Sequence, residues 1–100
     1  MNEYDHRQYK RMLDQISNRK IDLNSLGRII NSLKGLLGVL TERDQDWIKR
    51  FEHEWGVLEQ VYALNLYHST IVLNQEDLEA VSEALQHMKV LVEMKLEQRS

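Results

Sequence analysis

Residues 26–40 read LGRIINSLKGLLGVL, and this stretch decides the fold class of the chain. Its apolar side chains recur at i, i+3, i+4 and i+7, which is the spacing of one face of an α-helix. They are Leu26, Ile29, Ile30, Leu33, Leu37 and Leu40, and Leu36 and Val39 widen the stripe. The stripe also holds Gly27, Gly35 and Gly38, which we interpret as sites of close helix–helix approach, with a bend at 35–38 as the alternative.

Three further segments have the same apolar spacing, so the sequence predicts four amphipathic helices. The first runs from about Asn2 to Ser17 and presents Tyr9, Met12, Leu13 and Ile16. The third presents Trp47, Ile48, Phe51, Trp55, Leu58, Tyr62 and Leu66, and the fourth presents Leu78, Val81, Leu85, Met88 and Val92. Aromatic stripes of this kind are typical of a core, and we expect Trp55 to be part of it.

Short polar side chains mark where the helices begin, because they can accept hydrogen bonds from the free amides of a first turn. Asp22 or Asn24 is expected to cap the second helix and Asp44 the third. Asn74 is expected to cap the fourth, with Asp77 completing a capping box. The connections then fall at about 17–22, 41–44 and 69–73, which are short enough for neighbouring helices to run antiparallel.

Composition agrees with an all-helical chain. There is no proline, glycine occurs four times, and 42% of the 100 residues are hydrophobic. A chain of this length builds one core. We therefore predict an all-α, antiparallel up-down four-helix bundle, with 1–100 as a single domain.

Several classes of protein are disfavoured by what the sequence lacks. Without cysteine there is no disulfide framework or Cys-based zinc site. The first residues are polar, and no segment approaches the roughly 18 continuous apolar residues of a membrane span. We expect a cytoplasmic protein that does not enter a membrane.

Charge is unevenly distributed along a chain whose net charge is −3. Residues 1–20 carry a net +2, whereas 43–68 carry −2 and 69–100 carry −3. A nucleic-acid binder needs a clustered basic surface, so direct nucleic-acid binding is not expected. An acidic face suits a basic protein partner.

The catalytic and metal-binding patterns in the sequence are incomplete. His53-Glu54 begins a zinc-protease motif, but the second histidine would have to stand at position 57, which is Val57. The serines lack the context of a nucleophile, and no glycine-rich phosphate loop occurs. We expect a protein that is not an enzyme and that uses no cofactor and no metal.

The segment Asn31–Gly38 resembles the helix of histidine-phosphotransfer domains, in which a phosphorylated histidine precedes a Leu-Lys-Gly run. Those domains are four-helix bundles of similar size. Asn31 occupies the position of the phosphoryl acceptor and cannot form a phosphoimidazole. The resemblance therefore implies, as an alternative function, an adaptor that lacks the phospho-accepting histidine.

A broader resemblance covers residues 26–92, which look similar to small all-helical immunity proteins of bacterial contact-dependent growth-inhibition and related toxin systems. The features that carry it are the segment 26–40, Asp46-Trp47, Phe51, Glu54-Trp55, residues 58–63 (LEQVYA) and residues 74–77 (NQED). This resemblance implies a protein that binds and neutralises a cognate toxin domain, often a nuclease, by occluding its active site or substrate groove.

Two acidic rows are the candidate partner-binding residues. Glu76, Glu79 and Glu83 are spaced i, i+3 and i+7 on the fourth helix, away from the apolar seam. Glu52, Gly56 and Glu59 share one edge of the third helix, where Gly56 would allow close approach. The competing interpretation of each row is a set of solvent-exposed charges that bind no partner. We expect a monomer, although Leu36, Val39 and Val57 could instead form the contact of a homodimer.

Overall fold

The computed structural model describes residues 2–17, 21–68 and 72–98, and across these ranges the chain is helical and contains no strand. The four helices are α1 (Glu3–Ile16), α2 (Leu23–Gly38), α3 (Gln45–Tyr67) and α4 (Gln75–Glu97). The prediction of an all-helical, four-helix chain is confirmed. The connections predicted at 17–22 and 69–73 lie partly outside the described residues.

Each helix begins at an Asn or Asp whose side chain accepts a hydrogen bond from the amide three residues on. The caps are Asn2, Asp22, Asp44 and Asn74, at donor–acceptor distances of 2.7, 2.8, 3.2 and 2.8 Å. The caps predicted for α3 and α4 are confirmed, and for α2 the cap is Asp22 and not Asn24. The reciprocal capping box lies in α2, where Ser25 Oγ accepts from the Asp22 amide at 2.9 Å.

The capping box predicted at the start of α4 was wrong, because the Asp77 side chain does not reach back to Asn74. The Asp77 carboxylate accepts from the Asn65 side-chain amide of α3 at 3.0 Å. Asn65 is buried and also donates to the Val61 carbonyl at 2.8 Å, so its side-chain amide makes one hydrogen bond within α3 and one across to α4.

The core follows the predicted stripes on all four helices. Its fully buried members include Met12, Leu26, Ile29, Leu33, Phe51, Leu58, Val81, Met88 and Val92. Trp47 stacks on Phe51 at a centroid distance of 5.0 Å and meets the edge of Tyr9 at 5.4 Å. Two residues of the predicted stripes lie outside the core, since Leu66 is 53% exposed and Val39 is 45% exposed. Trp55 is only partly buried and packs against the core.

Every helix packs on two others: α1 on α2, α2 on α3, α3 on α4 and α4 on α1. The beginning of α3 meets the end of α4, where Lys95 pairs with Asp44 at 2.7 Å and Trp47 Nε1 donates to the Leu91 carbonyl at 2.8 Å. The described residues form a body of 45 × 20 × 20 Å.

The glycines of α2 differ in their surroundings. A Cβ atom on Gly27 would lie 2.9 Å from the end of the Tyr62 ring of α3, so glycine allows this ring to pack closely against α2. Nothing lies within 4 Å of a Cβ at Gly35 or Gly38. The interpretation as close approach is therefore confirmed at Gly27 alone.

Candidate partner-binding surface

The predicted row on α4 lies at the surface of the protein. Glu76, Glu79 and Glu83 are exposed, while Val81, Leu85 and Met88 of the same helix are buried on the opposite side. Gln75 donates to the Glu79 carboxylate at 3.1 Å. Among the described residues none of the three glutamates forms an ion pair, so their charges face solvent. We call these three residues the acidic row.

The predicted row on α3 lies on a different part of that helix from the side that packs on α4. Glu52 and Glu59 are exposed and Gly56 is half-buried, with open space where its Cβ would be. Its neighbour Trp55 donates to the Ile30 carbonyl of α2 at 3.0 Å, and its other neighbour Val57 lies against α4. Successive helical residues point about 100° apart, so Gly56 faces outward between these two contacts. Of the six predicted residues, only Glu83 lines the seam between α3 and α4.

Sequence reasoning missed exposed apolar side chains at the end of the molecule where α4 and the acidic row begin. Tyr67 is 84% exposed and Val72 is 77% exposed, and Leu64 is also exposed one turn before Tyr67. The hydrogen bond between Asn65 and Asp77 puts this end of α3 level with the start of α4. The sequence did contain a signal, because Leu64 and Tyr67 form an i, i+3 apolar pair outside the core stripe.

The one fully buried ionisable side chain of the described residues is Asp5, which the sequence analysis did not single out. Asp5 Oδ1 accepts from the amide and the hydroxyl of Thr41, and Oδ2 accepts from the Glu42 amide, all at 2.9 Å. Burial alone would raise the pKa of Asp5, but these hydrogen bonds hold it below its ordinary value. The carboxylate fastens the loop after α2 to α1, which is a structural role.

No group of three or more potential metal ligands converges in the ranges 2–17, 21–68 and 72–98. His87 and Glu54 pair across α3 and α4 at 3.2 Å, while Ser25 serves the cap of α2. Asn31, at the position of the phosphotransfer histidine, is exposed on α2.

The three apolar residues considered for a homodimer contact differ in how exposed they are. Val39 is exposed, whereas Leu36 and Val57 are partly buried against the core.

In the part of the chain that the structure describes, no helix has the length and apolar character needed to traverse a bilayer.

Comparison of the chain with known protein families, with curated proteins and with solved structures finds no match.

Proposed function

We propose that this protein is an immunity protein that binds and neutralises a cognate bacterial toxin domain. The observation that carries the proposal is the acidic row of Glu76, Glu79 and Glu83, which is exposed along α4 without a basic partner in the described residues. The resemblance of residues 26–92 to small helical immunity proteins supplies the class of partner.

A nuclease is the toxin class that fits this row best. Nucleases hold RNA or DNA phosphates on clustered Lys and Arg side chains, and a line of carboxylates can compete for the same surface. Opposite charges also steer the two proteins together, which raises the association rate. Bound in this way, the protein occludes the active site or the substrate groove.

Exposed apolar residues at the end of the molecule where α4 begins extend the proposed interface. Interfaces are anchored by a few large side chains, with Trp, Tyr and Arg enriched among them, and surrounded by polar and charged groups. Tyr67, Val72 and Leu64 are exposed at this end and would supply the apolar contacts. Glu52, Gly56 and Glu59 lie on α3, away from the acidic row of α4. They form a second, separate contact in this proposal.

The protein acts in this proposal by binding alone. It works in the cytoplasm as a monomer, with no catalytic residue, cofactor or metal, and without touching nucleic acid itself. Neutralisation needs a tight complex and no turnover, and a rigid helical body supplies a preorganised surface.

We also infer that the four helices run up and down in an antiparallel bundle. The pairs Asp44–Lys95 and Asn65–Asp77 support this inference, since each joins the start of one helix to the end of its neighbour. Asp5, near the start of α1, likewise meets Thr41, which follows α2.

Co-expression with the product of the adjacent gene tests the function. We expect an upstream reading frame for a very large secreted protein with a variable C-terminal domain, and co-purification of that domain with this protein. Addition of the protein should abolish the domain's nuclease activity. A domain that stays fully active in the presence of excess protein would contradict the proposal.

The adaptor function remains the alternative, favoured by the exposed position of Asn31 on α2. Its partner would be a response-regulator receiver domain. Co-purification with a receiver domain and with no toxin domain would replace the immunity function by this one.

A further inference from the structure

A groove lies between the first half of α3 and the second half of α4, apart from the acidic row. Val90 and Met94 of α4, 46% and 41% exposed, line it together with Lys49, Arg50 and His53 of α3. The His87–Glu54 pair borders it and stands between the groove and Glu83. Its volume is about 560 Å³.

The inner surface of the groove is almost entirely apolar. Val90 and Met94 are spaced i, i+4 and are therefore neighbours on the outside of α4. Single exposed apolar residues are common, but here two of them line one concave surface. Lys49 and Arg50 also line the groove, and side chains of this type can lay their methylene stems on an apolar surface while the charged ends stay in water.

The charge at the edge is opposite to that of the protein as a whole. Lys49 and Arg50 form no ion pair among the described residues, although the net charge of the chain is −3. Lys95 of α4, in contrast to these two residues, forms an ion pair with Asp44. The Glu54 carboxylate faces His87. Two cations therefore remain available beside an apolar surface.

The walls of the groove restrict the kind of occupant. Both walls are α-helices, whose backbone amides and carbonyls are bonded within the helix, so an added β-strand would find no backbone partners. A helix brings its own backbone hydrogen bonds and packs its side chains between those of two neighbouring helices.

We propose that this groove binds an acidic amphipathic helix of a partner protein. Apolar side chains of that helix contact Val90 and Met94, and its carboxylates pair with Lys49 and Arg50. The groove thus accepts a negatively charged segment, whereas the acidic row is proposed for a basic surface. The two sites are distinct and can fail independently.

The probe is a fluorescein-labelled peptide of about 18 residues, long enough to form a helix, with leucines at i, i+3, i+4 and i+7 and glutamates around them. Fluorescence anisotropy with the full chain measures its affinity. We expect binding at low salt that weakens as salt is added. A peptide with lysines in place of the glutamates should bind at least about tenfold more weakly.

Two pairs of variants, each with a matched control, locate the binding. K49E/R50E should weaken binding of the acidic peptide at least about tenfold. The control is K10E/R11E, which changes two consecutive basic residues of α1 and should leave the affinity unaltered. V90S/M94Q should weaken it at least about fivefold, whereas V39S, at another exposed valine, should not. E79K/E83K should have no such effect, which separates this site from the acidic row.

Absence of peptide binding, tighter binding of the lysine peptide, or equal losses in the control variants would overturn the proposal. Two other occupants are also tested. Sedimentation of the chain as a dimer that V90S/M94Q dissociates would assign the groove to a second copy. Co-sedimentation with phosphatidylglycerol vesicles that requires Val90 and Met94 would assign it to a lipid surface.

Discussion

Asp5 and Thr41 meet at two points, because one oxygen of the Asp5 carboxylate accepts both the amide and the hydroxyl of Thr41 at 2.9 Å. The other oxygen accepts the Glu42 amide at the same distance. The carboxylate is completely buried, so these hydrogen bonds replace its hydration. The Asp5 side chain of α1 thus fastens the loop between α2 and α3.

Asp5→Ala should lower the free energy of unfolding by about 2 to 4 kcal/mol, because it removes three charge-assisted hydrogen bonds and leaves two amides without their acceptor. Urea denaturation followed by circular dichroism measures the loss. Asp14→Ala, at an exposed aspartate of the same helix, is the control and should change stability by less than about 0.5 kcal/mol. Equal effects of the two substitutions would remove the structural role of Asp5.

The stability of the protein should fall in acid for the same reason. The pKa of Asp5 lies below its ordinary value, and that of Asp44 is lowered by its bond to Lys95 and by the Trp47 amide. As the pH drops, Asp5 and Asp44 therefore become protonated in the unfolded chain at a higher pH than in the folded protein. The stabilisation is complete above a pH of about 4 and is lost as the pH falls through the lowered values.

Urea midpoints measured between about pH 5 and pH 3 test this sign. Asp5→Asn cannot titrate and should show a shallower loss of stability with falling pH than the native chain. Asp14→Asn should retain the native slope. An Asp5→Asn variant with the native slope would show that the stability of the folded state does not depend on the Asp5 charge.

Three glycines within helices should respond differently to alanine. Gly35→Ala and Gly56→Ala place a methyl group in open space and should stabilise the protein by up to about 1 kcal/mol through helix propensity. Gly27→Ala forces the Tyr62 ring to move, so it should be at least about 1 kcal/mol less stable than Gly35→Ala. Thermal unfolding of the three variants gives the order, and equal stability would refute the close approach at Gly27.

The two tryptophans should also differ. Trp47 is buried between Tyr9 and Phe51 and donates to the Leu91 carbonyl, so Trp47→Ala should cost about 3 to 5 kcal/mol. Trp55 is partly buried, with one hydrogen bond to Ile30, and Trp55→Ala should cost about 1 to 3 kcal/mol. Guanidinium denaturation measures both, and a greater loss at Trp55 would contradict this order.

The helices could be predicted from the sequence because their signals are local. Apolar spacing and the caps at Asp44 and Asn74 act within one or two turns, and the structure agrees with them. Position relative to the core was harder to predict. Leu66 matches the helical period of α3 but lies beyond the last point at which α4 covers that face, since Asn65 already meets the start of α4.

The surface features depend on which helices become neighbours, and the sequence does not contain that information in local form. Asp5 looks like an ordinary first-turn acid until the loop at Thr41 folds over it. Val90 and Met94 look like the margin of a core stripe, and they form a groove only because Lys49 and Arg50 of α3 pack opposite them. The acidic row was predictable, since its spacing on α4 and the buried seam opposite it are both local.

The association rate of the cognate toxin domain with the native chain and with E79K/E83K tests the central proposal most directly. Measured by stopped-flow fluorescence at low salt, the double substitution should slow association at least about tenfold without changing helix content. D14K/E97K, at two exposed acids away from the row, changes the net charge equally and should slow association by less than about threefold. Equal rates for the native chain and E79K/E83K would show that the acidic row does not bind the toxin.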